Sequence, residues 1–266
     1  MTDHVKIMGI LNVTPDSFYD GGKFADPGAA VEHALEMVSQ GARIIDVGGE
    51  STRPGALSVS VEEEVKRTVP VIEAIRQKSD AAISIDTTKA PVAAAALEAG
   101  ASMVNDISGM TFDENMAETV ARHDAEVVIM HIQGTPGTMQ KNPRYDDLTG
   151  EITSFLLKQA EKAMEKGIKK EKIILDPGIG FGKKLEDNYR ILNNIHKFRA
   201  CGFPLLIGLS RKSLIGKILR EGEDRLPATL ALNAVAVREG ADIIRVHDVL
   251  PHALMLKSMA MLQKVS

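Results

Sequence analysis

The sequence has no tryptophan, a single cysteine and aromatic residues at only 4%. With Cys201 alone, an intrachain disulfide is impossible and a cysteine-based zinc site is excluded, so a reducing compartment suits the chain. Cys201 itself reads as a small buried hydrophobe. No apolar run reaches membrane-spanning length, and the opening MTDHVKIMGIL lacks the basic segment and long apolar core of a secretory leader. The expectation is a cytoplasmic protein with no membrane partner, in which the sequon Asn12-Val13-Thr14 carries no weight. Charge of one sign is also scarce: a net charge of −4 and a pI near 6.0 argue against a nucleic-acid partner. A local basic patch for a small anion stays open.

What the chain does have is 266 residues and 44% hydrophobic content, enough for one large core. No linker rich in proline, serine or charge divides it, so residues 1–266 read as one domain. Apolar runs predict strands at Met8–Leu11, Arg43–Val47, Ala82–Ile85, Met103–Val104, Glu126–Met130, Lys172–Leu175, Leu205–Ile207 and Ile243–Val246. Helical spacing predicts helices over Pro27–Gln40, Val61–Lys78, Ala90–Ala99, Leu148–Lys166, Leu185–Phe198, Lys212–Glu239 and Pro251–Gln263. Strands that alternate with helices must run parallel, with the helices covering the sheet. Eight such units in a chain of this length predict a (β/α)₈ TIM barrel, with a doubly wound open sheet as the alternative.

In such a barrel the C-terminal ends of the strands share one mouth, where active sites are built. Those ends carry Asn12, Asp86, Asn105, His131, Asp176, Ser210 to Lys212, and Arg245 with His247. The basic residues fall in the seventh and eighth units, where such barrels often bind phosphate, and arginine offers a planar fork to phosphate oxygens. A phosphorylated or pyrophosphorylated ligand follows. Asp86, Asn105 and Asp176 supply acceptors and one amide, a set that suits a planar heterocycle with several N–H donors and a carbonyl. The same carboxylates could instead stabilise positive charge, hold a metal or exchange protons.

Two glycine-rich loops flank this mouth. DPGIGFGK, from Asp176 to Lys183, matches neither a P-loop nor a dinucleotide fingerprint, since Lys183 precedes another lysine and the third glycine comes too early. Its glycines read as close-approach positions beside a flat ligand, with Phe181 as an apolar face. GGESTRPG, from Gly48 to Gly55, reads as a loop that brings Arg53 to the mouth. MGILNVTPDSFYDGG, from Met8 to Gly22, places Phe18 and Tyr19 on a third loop.

The ordered set GILNVTPDSF, DVGGESTRPG, SIDT, VNDISG, MHIQGTP, DPGIGFGK, SRK and RVHD, spread from Met8 to Asp248, resembles the dihydropteroate synthase family. The resemblance implies a (β/α)₈ barrel that condenses p-aminobenzoate with 6-hydroxymethyl-7,8-dihydropterin pyrophosphate in folate synthesis, with Mg²⁺ as cofactor and a homodimer as the assembly. It implies that Asn12 helps hold Mg²⁺ and the pyrophosphate, with Thr52, Arg53, Arg245 and His247 around the same group. Asp86, Asn105, Asp176 and Lys212 would line the pterin between Met130 and Phe181. Phe18, Thr52, Arg53, Pro54, Lys212 and Ser213 would surround p-aminobenzoate, and Asp86, Lys212 and Arg53 would carry the catalysis. The implied chemistry is dissociative, with Asp86 stabilising a methylene cation that the arylamine attacks. Tyr19 stands where many members carry serine, and seven residues precede Met8 where members commonly have an N-terminal hairpin. The alternatives are a pterin-dependent methyltransferase domain and a non-catalytic pterin-binding barrel.

Overall fold

In a computed structural model, which describes residues 5–14, 27–52, 55 and 58–264, the chain alternates strand and helix from end to end. The first half comprises β1 (Lys6–Asn12), α1 (Pro27–Ser39), β2 (Ile44–Gly48), α2 (Val61–Arg76), β3 (Ala82–Asp86), α3 (Ala90–Glu98), β4 (Met103–Asp106) and α4 (Met116–Arg122). The second comprises β5 (Glu126–Met130), α5 (Leu148–Glu165), β6 (Ile173–Asp176), α6 (Leu185–Leu192), α7 (Ile195–Arg199), β7 (Leu206–Gly208), α8 (Ser213–Gly216), α9 (Leu226–Arg238), β8 (Ile243–Val246) and α10 (Val249–Lys264). Local chemistry sets several of these boundaries. Ser60 caps α2 by accepting from the Glu63 amide, with Glu62, Glu63 and Glu64 in the positive first turn. Asp147 caps α5 through the Gly150 amide.

The eight strands form one parallel sheet in the order β6-β5-β4-β3-β2-β1-β8-β7. A parallel bridge between Leu175 and Leu205, with the Leu175 amide donating to Pro204 at 2.9 Å, joins the two ends. The sheet is therefore a barrel, and the open doubly wound alternative is excluded.

Three local expectations needed correction. The seven-residue α4 lies between Asp106 and Glu126, where helical spacing in the sequence gave no helix. The stretch Lys212–Glu239 is two helices, α8 and α9, and Leu185–Phe198 is divided into α6 and α7 at Asn193 and Asn194. Asn194 has φ −121° and ψ 17°, outside helical geometry, although its neighbours keep apolar periodicity. Cys201 is half-buried, its thiol 3.8 Å from the Lys197 carbonyl, and packs at the edge of the core.

Alternation along each strand creates two apolar layers. Outward side chains such as Ile45, Ile83, Ile85 and Val127 join the helices in the main core. Inward ones, Met8, Ile44, Met103, Val128, Ile174, Leu206 and Ile243, fill the lumen. Each buried Ile or Met contributes about 1.5–3 kcal/mol relative to exposure. Above this plug the inward positions turn polar. The register aligns Asn12 with Gly48, Gly48 with Asp86, and Asp86 with Asn105, so four neighbouring strands end at one level.

Candidate active site

The floor of the mouth is an ion-pair network around a residue that the sequence reading passed over. Asp46, midway along β2, is fully buried and accepts from Asn105 Nδ2 at 3.0 Å and Arg245 Nε at 2.6 Å. Arg245 Nη2 then donates to Asp86 Oδ2 at 2.6 Å. One guanidinium thus spans two carboxylates on adjacent strands. Burial pushes the Asp86 carboxyl up to about 7 against the pull of Arg245, with Asp46 adding to the rise. Asp46 Oδ1 and Asp86 Oδ1 are buried acceptors with no partner among the described residues. Buried acceptors are normally satisfied, so an unpaired oxygen at an active-site mouth points to a ligand or water donor.

A second group gathers across the barrel. Asp176, at the end of β6, is buried and accepts from the Gly178 amide at 2.7 Å. Its partner in register is Met130, which packs with Ile107, Ile132, Met139 and Phe181. Lys212 donates to the Ile179 carbonyl, and its ammonium sits 4.6 Å from the centre of the Phe181 ring. Burial pulls Lys212 down to about 8, opposed chiefly by Asp176. Burial raises Asp176, while Lys212, the Gly178 amide, Lys183 and Arg245 pull the other way.

The glycines of the β6–α6 loop serve a purpose other than the one expected. Gly178 and Gly182 both have positive φ, and a Cβ at either would fall 1.9 Å from the His131 carbonyl oxygen or 2.5 Å from that of Gln133. They make room for the neighbouring β5–α5 loop, so the two loops lie backbone against backbone. Gly180 faces Lys212, whose Cδ lies 3.2 Å from where its Cβ would stand, and a Cβ at Gly178 would also meet Met130 Cγ at 3.3 Å.

The remaining expected residues distribute as follows. Asn12 ends β1 beside Gly48; a Cβ at Gly48 would stand 3.7 Å from its Oδ1 and 3.6 Å from Asp86 Cβ. His247 Nδ1 lies 3.0 Å from Ser210 Oγ, which also accepts from the His247 amide, tying the ends of β7 and β8 together. Thr52 and Asp86 share a cavity of about 430 Å³ with Glu50, Glu64, Lys89 and Thr135. Ser213 begins α8 and is exposed. Arg211, grouped with the phosphate-binding basic residues in sequence, is exposed and paired with Asp248, its Nε 3.0 Å from Oδ2. Phe18, Tyr19, Arg53 and Pro54 lie outside the described residues.

Besides Asp46, sequence reasoning missed the bridge in which Lys89 Nζ meets Glu50 at 2.5 Å and Glu64 at 2.6 Å. It also used Lys183 only to reject a P-loop. Asp46 was detectable as a charge inside an otherwise apolar strand. The lysine bridges join residues far apart in sequence and left no local signal.

The model for pterin binding enzymes matches residues 8–247. Dihydropteroate synthase from Synechocystis is 52% identical over 245 residues, 91% of this chain and 85% of that protein. The Escherichia coli K12 enzyme is 49% identical over 247 residues, 92% of this chain and 87% of its own length. A dihydropteroate synthase from Clostridium difficile, crystallised in the presence of pteroic acid, superposes with a TM-score of 0.91 at 48% identity, covering 97% of this chain and 96% of that one. A Xanthomonas albilineans dihydropteroate synthase in complex with 7,8-dihydropteroate gives 0.88 at 37% identity, covering 99% of this chain and 95% of that one.

Proposed function

The chain belongs to the dihydropteroate synthase family of pterin-binding enzymes, and from that premise we propose how its mouth performs the family's transferase reaction. That reaction joins p-aminobenzoate to 6-hydroxymethyl-7,8-dihydropterin pyrophosphate, giving 7,8-dihydropteroate and pyrophosphate. The observation that carries the site reading is Asp86, whose Oδ1 is buried and unpaired among the described residues while its Oδ2 is held by Arg245.

The pterin lies between Met130 and Phe181, with Asp86, Asn105 and Asp176 taking its N–H edge and Lys212 donating to its carbonyl side. When the C–O bond to pyrophosphate breaks, positive charge spreads from the methylene into the ring. A carboxylate fixed in a water-poor site stabilises that charge without having to reorganise. The amine of p-aminobenzoate then forms the new C–N bond and releases a proton. Thr52, Arg53, Arg245 and His247 take the leaving pyrophosphate, and Phe18, Thr52, Arg53, Pro54, Lys212 and Ser213 surround the arylamine. Arg245 can do so only with guanidinium edges left over from Asp46 and Asp86, so its contribution is orientation as well as charge.

No group of three or more His, Cys, Asp or Glu side chains that could hold a metal occurs among the described residues. Mg²⁺ usually keeps waters and substrate phosphates as ligands and needs few protein oxygens. Asn12, at the end of β1 beside Gly48 and Asp86, would supply its amide oxygen alongside pyrophosphate oxygens. The ion would offset charge developing on the leaving group. A homodimer, the assembly the family resemblance implies, would have Val235, Leu250, Leu254 and Met261, exposed on α9 and α10, available to bury.

Purified protein supplied with Mg²⁺, the pterin pyrophosphate and p-aminobenzoate should release pyrophosphate and form dihydropteroate in equal amounts. Failure to form any product dependent on the aminobenzoate would overturn this reading in favour of the methyltransferase or non-catalytic barrel.

A further inference from the structure

Ser210, just past the end of β7, is buried, and its hydroxyl has two partners among the described residues, both on His247. It accepts from the His247 amide at 3.1 Å and lies 3.0 Å from His247 Nδ1. A serine hydroxyl carries one proton, and an amide nitrogen only donates, so that proton points at Nδ1. Nδ1 then accepts and carries no proton of its own. Protonating it would leave the buried hydroxyl facing two donors, with no acceptor for its own hydrogen. In the neutral ring the proton therefore stands on Nε2.

Fastening the two strands does not require this contact. Backbone pairing already joins Leu206 with Ile243, Ile207 with Ile244 and Gly208 with Arg245. Side chains continue the same register past the strand ends: Ser210 meets His247, and Arg211 Nε donates to Asp248 Oδ2 at 3.0 Å. Between Ser210 and Lys212 the backbone is strained. Arg211 has φ 58°, in the left-handed region although it carries a Cβ, and is held there by Asp248 and by Arg225 Nη1, which donates to its carbonyl at 3.0 Å. The Lys212 amide donates to the Leu209 carbonyl at 3.3 Å, closing the turn that sets Ser210 against His247 and Lys212 beside Phe181. Strain of this kind persists where surrounding contacts over-determine it, and it clusters at ligand sites.

We propose that Ser210 is a positioning residue of the pyrophosphate subsite: its hydroxyl holds His247 as the Nε2–H tautomer, so that the neutral ring presents a hydrogen-bond donor to a phosphate oxygen. This rests on the reading of His247 as a pyrophosphate contact. Arg245, two positions earlier, supplies charge, and His247 adds a directed donor without adding a second cation. The opposite tautomer would turn a lone pair toward the anion and repel it. Ser210, its hydroxyl taken up by His247, acts through the ring.

The test begins with the wild type. In ¹⁵N-histidine-labelled protein at about pH 8, where an unperturbed imidazole is neutral, the two ring-nitrogen shifts report the tautomer, and His247→Gln identifies the signals that belong to His247. The wild-type ring should show a bare Nδ1 and a protonated Nε2. In Ser210→Ala the ring should become a mixture of tautomers, inorganic pyrophosphate with Mg²⁺ should bind about tenfold more weakly, and the Kd of 6-hydroxymethylpterin, which lacks the pyrophosphate, should stay within twofold. Wild-type His247 protonated at Nδ1, an unchanged tautomer or pyrophosphate affinity in Ser210→Ala, an equal loss of pterin affinity, or failure of that variant to fold would each overturn the proposal. Wild-type protein that binds no pyrophosphate would overturn the reading of the subsite as well; wild-type binding with an Nδ1-protonated ring sinks this proposal alone.

Discussion

Arg245 Nη2, on β8, lies 2.6 Å from Asp86 Oδ2, at the end of β3, a contact between residues 159 positions apart. The pair does more than close a ring of charges. It leaves the other oxygen of Asp86 facing the mouth and fixes the plane of the carboxylate. Asp46 completes the arrangement by holding Nε of the same guanidinium at 2.6 Å.

Removing Asp46 tests the network from below. Asp46→Ala leaves Arg245 with one buried acid and Asn105 Nδ2 without its acceptor. Breaking a buried ion pair on one side typically costs about 3–5 kcal/mol. Urea unfolding should show a loss of that order, with an elevated KM for the pterin substrate because Arg245 is no longer oriented.

The lumen plug predicts the opposite partition. Ile44 is buried at the bottom of the barrel, below the polar level. Ile44→Ala should lose about 2–5 kcal/mol of stability through transfer and cavity terms. Steady-state constants measured well below its melting temperature should stay within about twofold of wild type, since small losses below about 0.4 kcal/mol correspond to that ratio.

Dependence on pH follows from two groups shifted in opposite senses. Asp86, raised to about 7, loses its carboxylate as pH falls through that value; Lys212, lowered to about 8, loses its charge as pH rises through that one. A bell-shaped kcat/KM profile between those limits is expected, and Lys212→Met should remove the alkaline limb.

Stability linkage carries its own signs. Asp86 binds its proton more tightly when folded, so between 3.8 and about 7 the native state holds more protons and this group costs stability as pH rises. Lys183, at about 7 instead of 10.5, holds fewer protons when folded, so above about 7 its contribution improves with pH. In melts from pH 7 to 10, wild type should gain stability relative to Lys183→Met.

The barrel itself was legible because its strands are apolar runs bounded by glycine and polar residues, and because Asn12, Asp86, Asn105 and Asp176 sit where those runs stop. Closure was not, since it depends on the Leu175 and Leu205 bridge, a pairing with no sequence signature. Among site residues, those at strand ends could be read from position alone. Asp46 was hidden inside its strand, and Lys183 was hidden by a motif that resembled phosphate binding. The α4 helix, seven residues long, offers too few turns for its spacing to emerge.

The central claim is that Asp86 stabilises charge on the pterin methylene as pyrophosphate departs. Asp86→Asn keeps the shape and an oxygen for Arg245 while removing the negative charge. Single-turnover formation of dihydropteroate, with pterin pyrophosphate and p-aminobenzoate both saturating, should slow by about 10²–10³-fold in a protein that still binds pterin. Turnover at the wild-type rate in that variant would contradict the account.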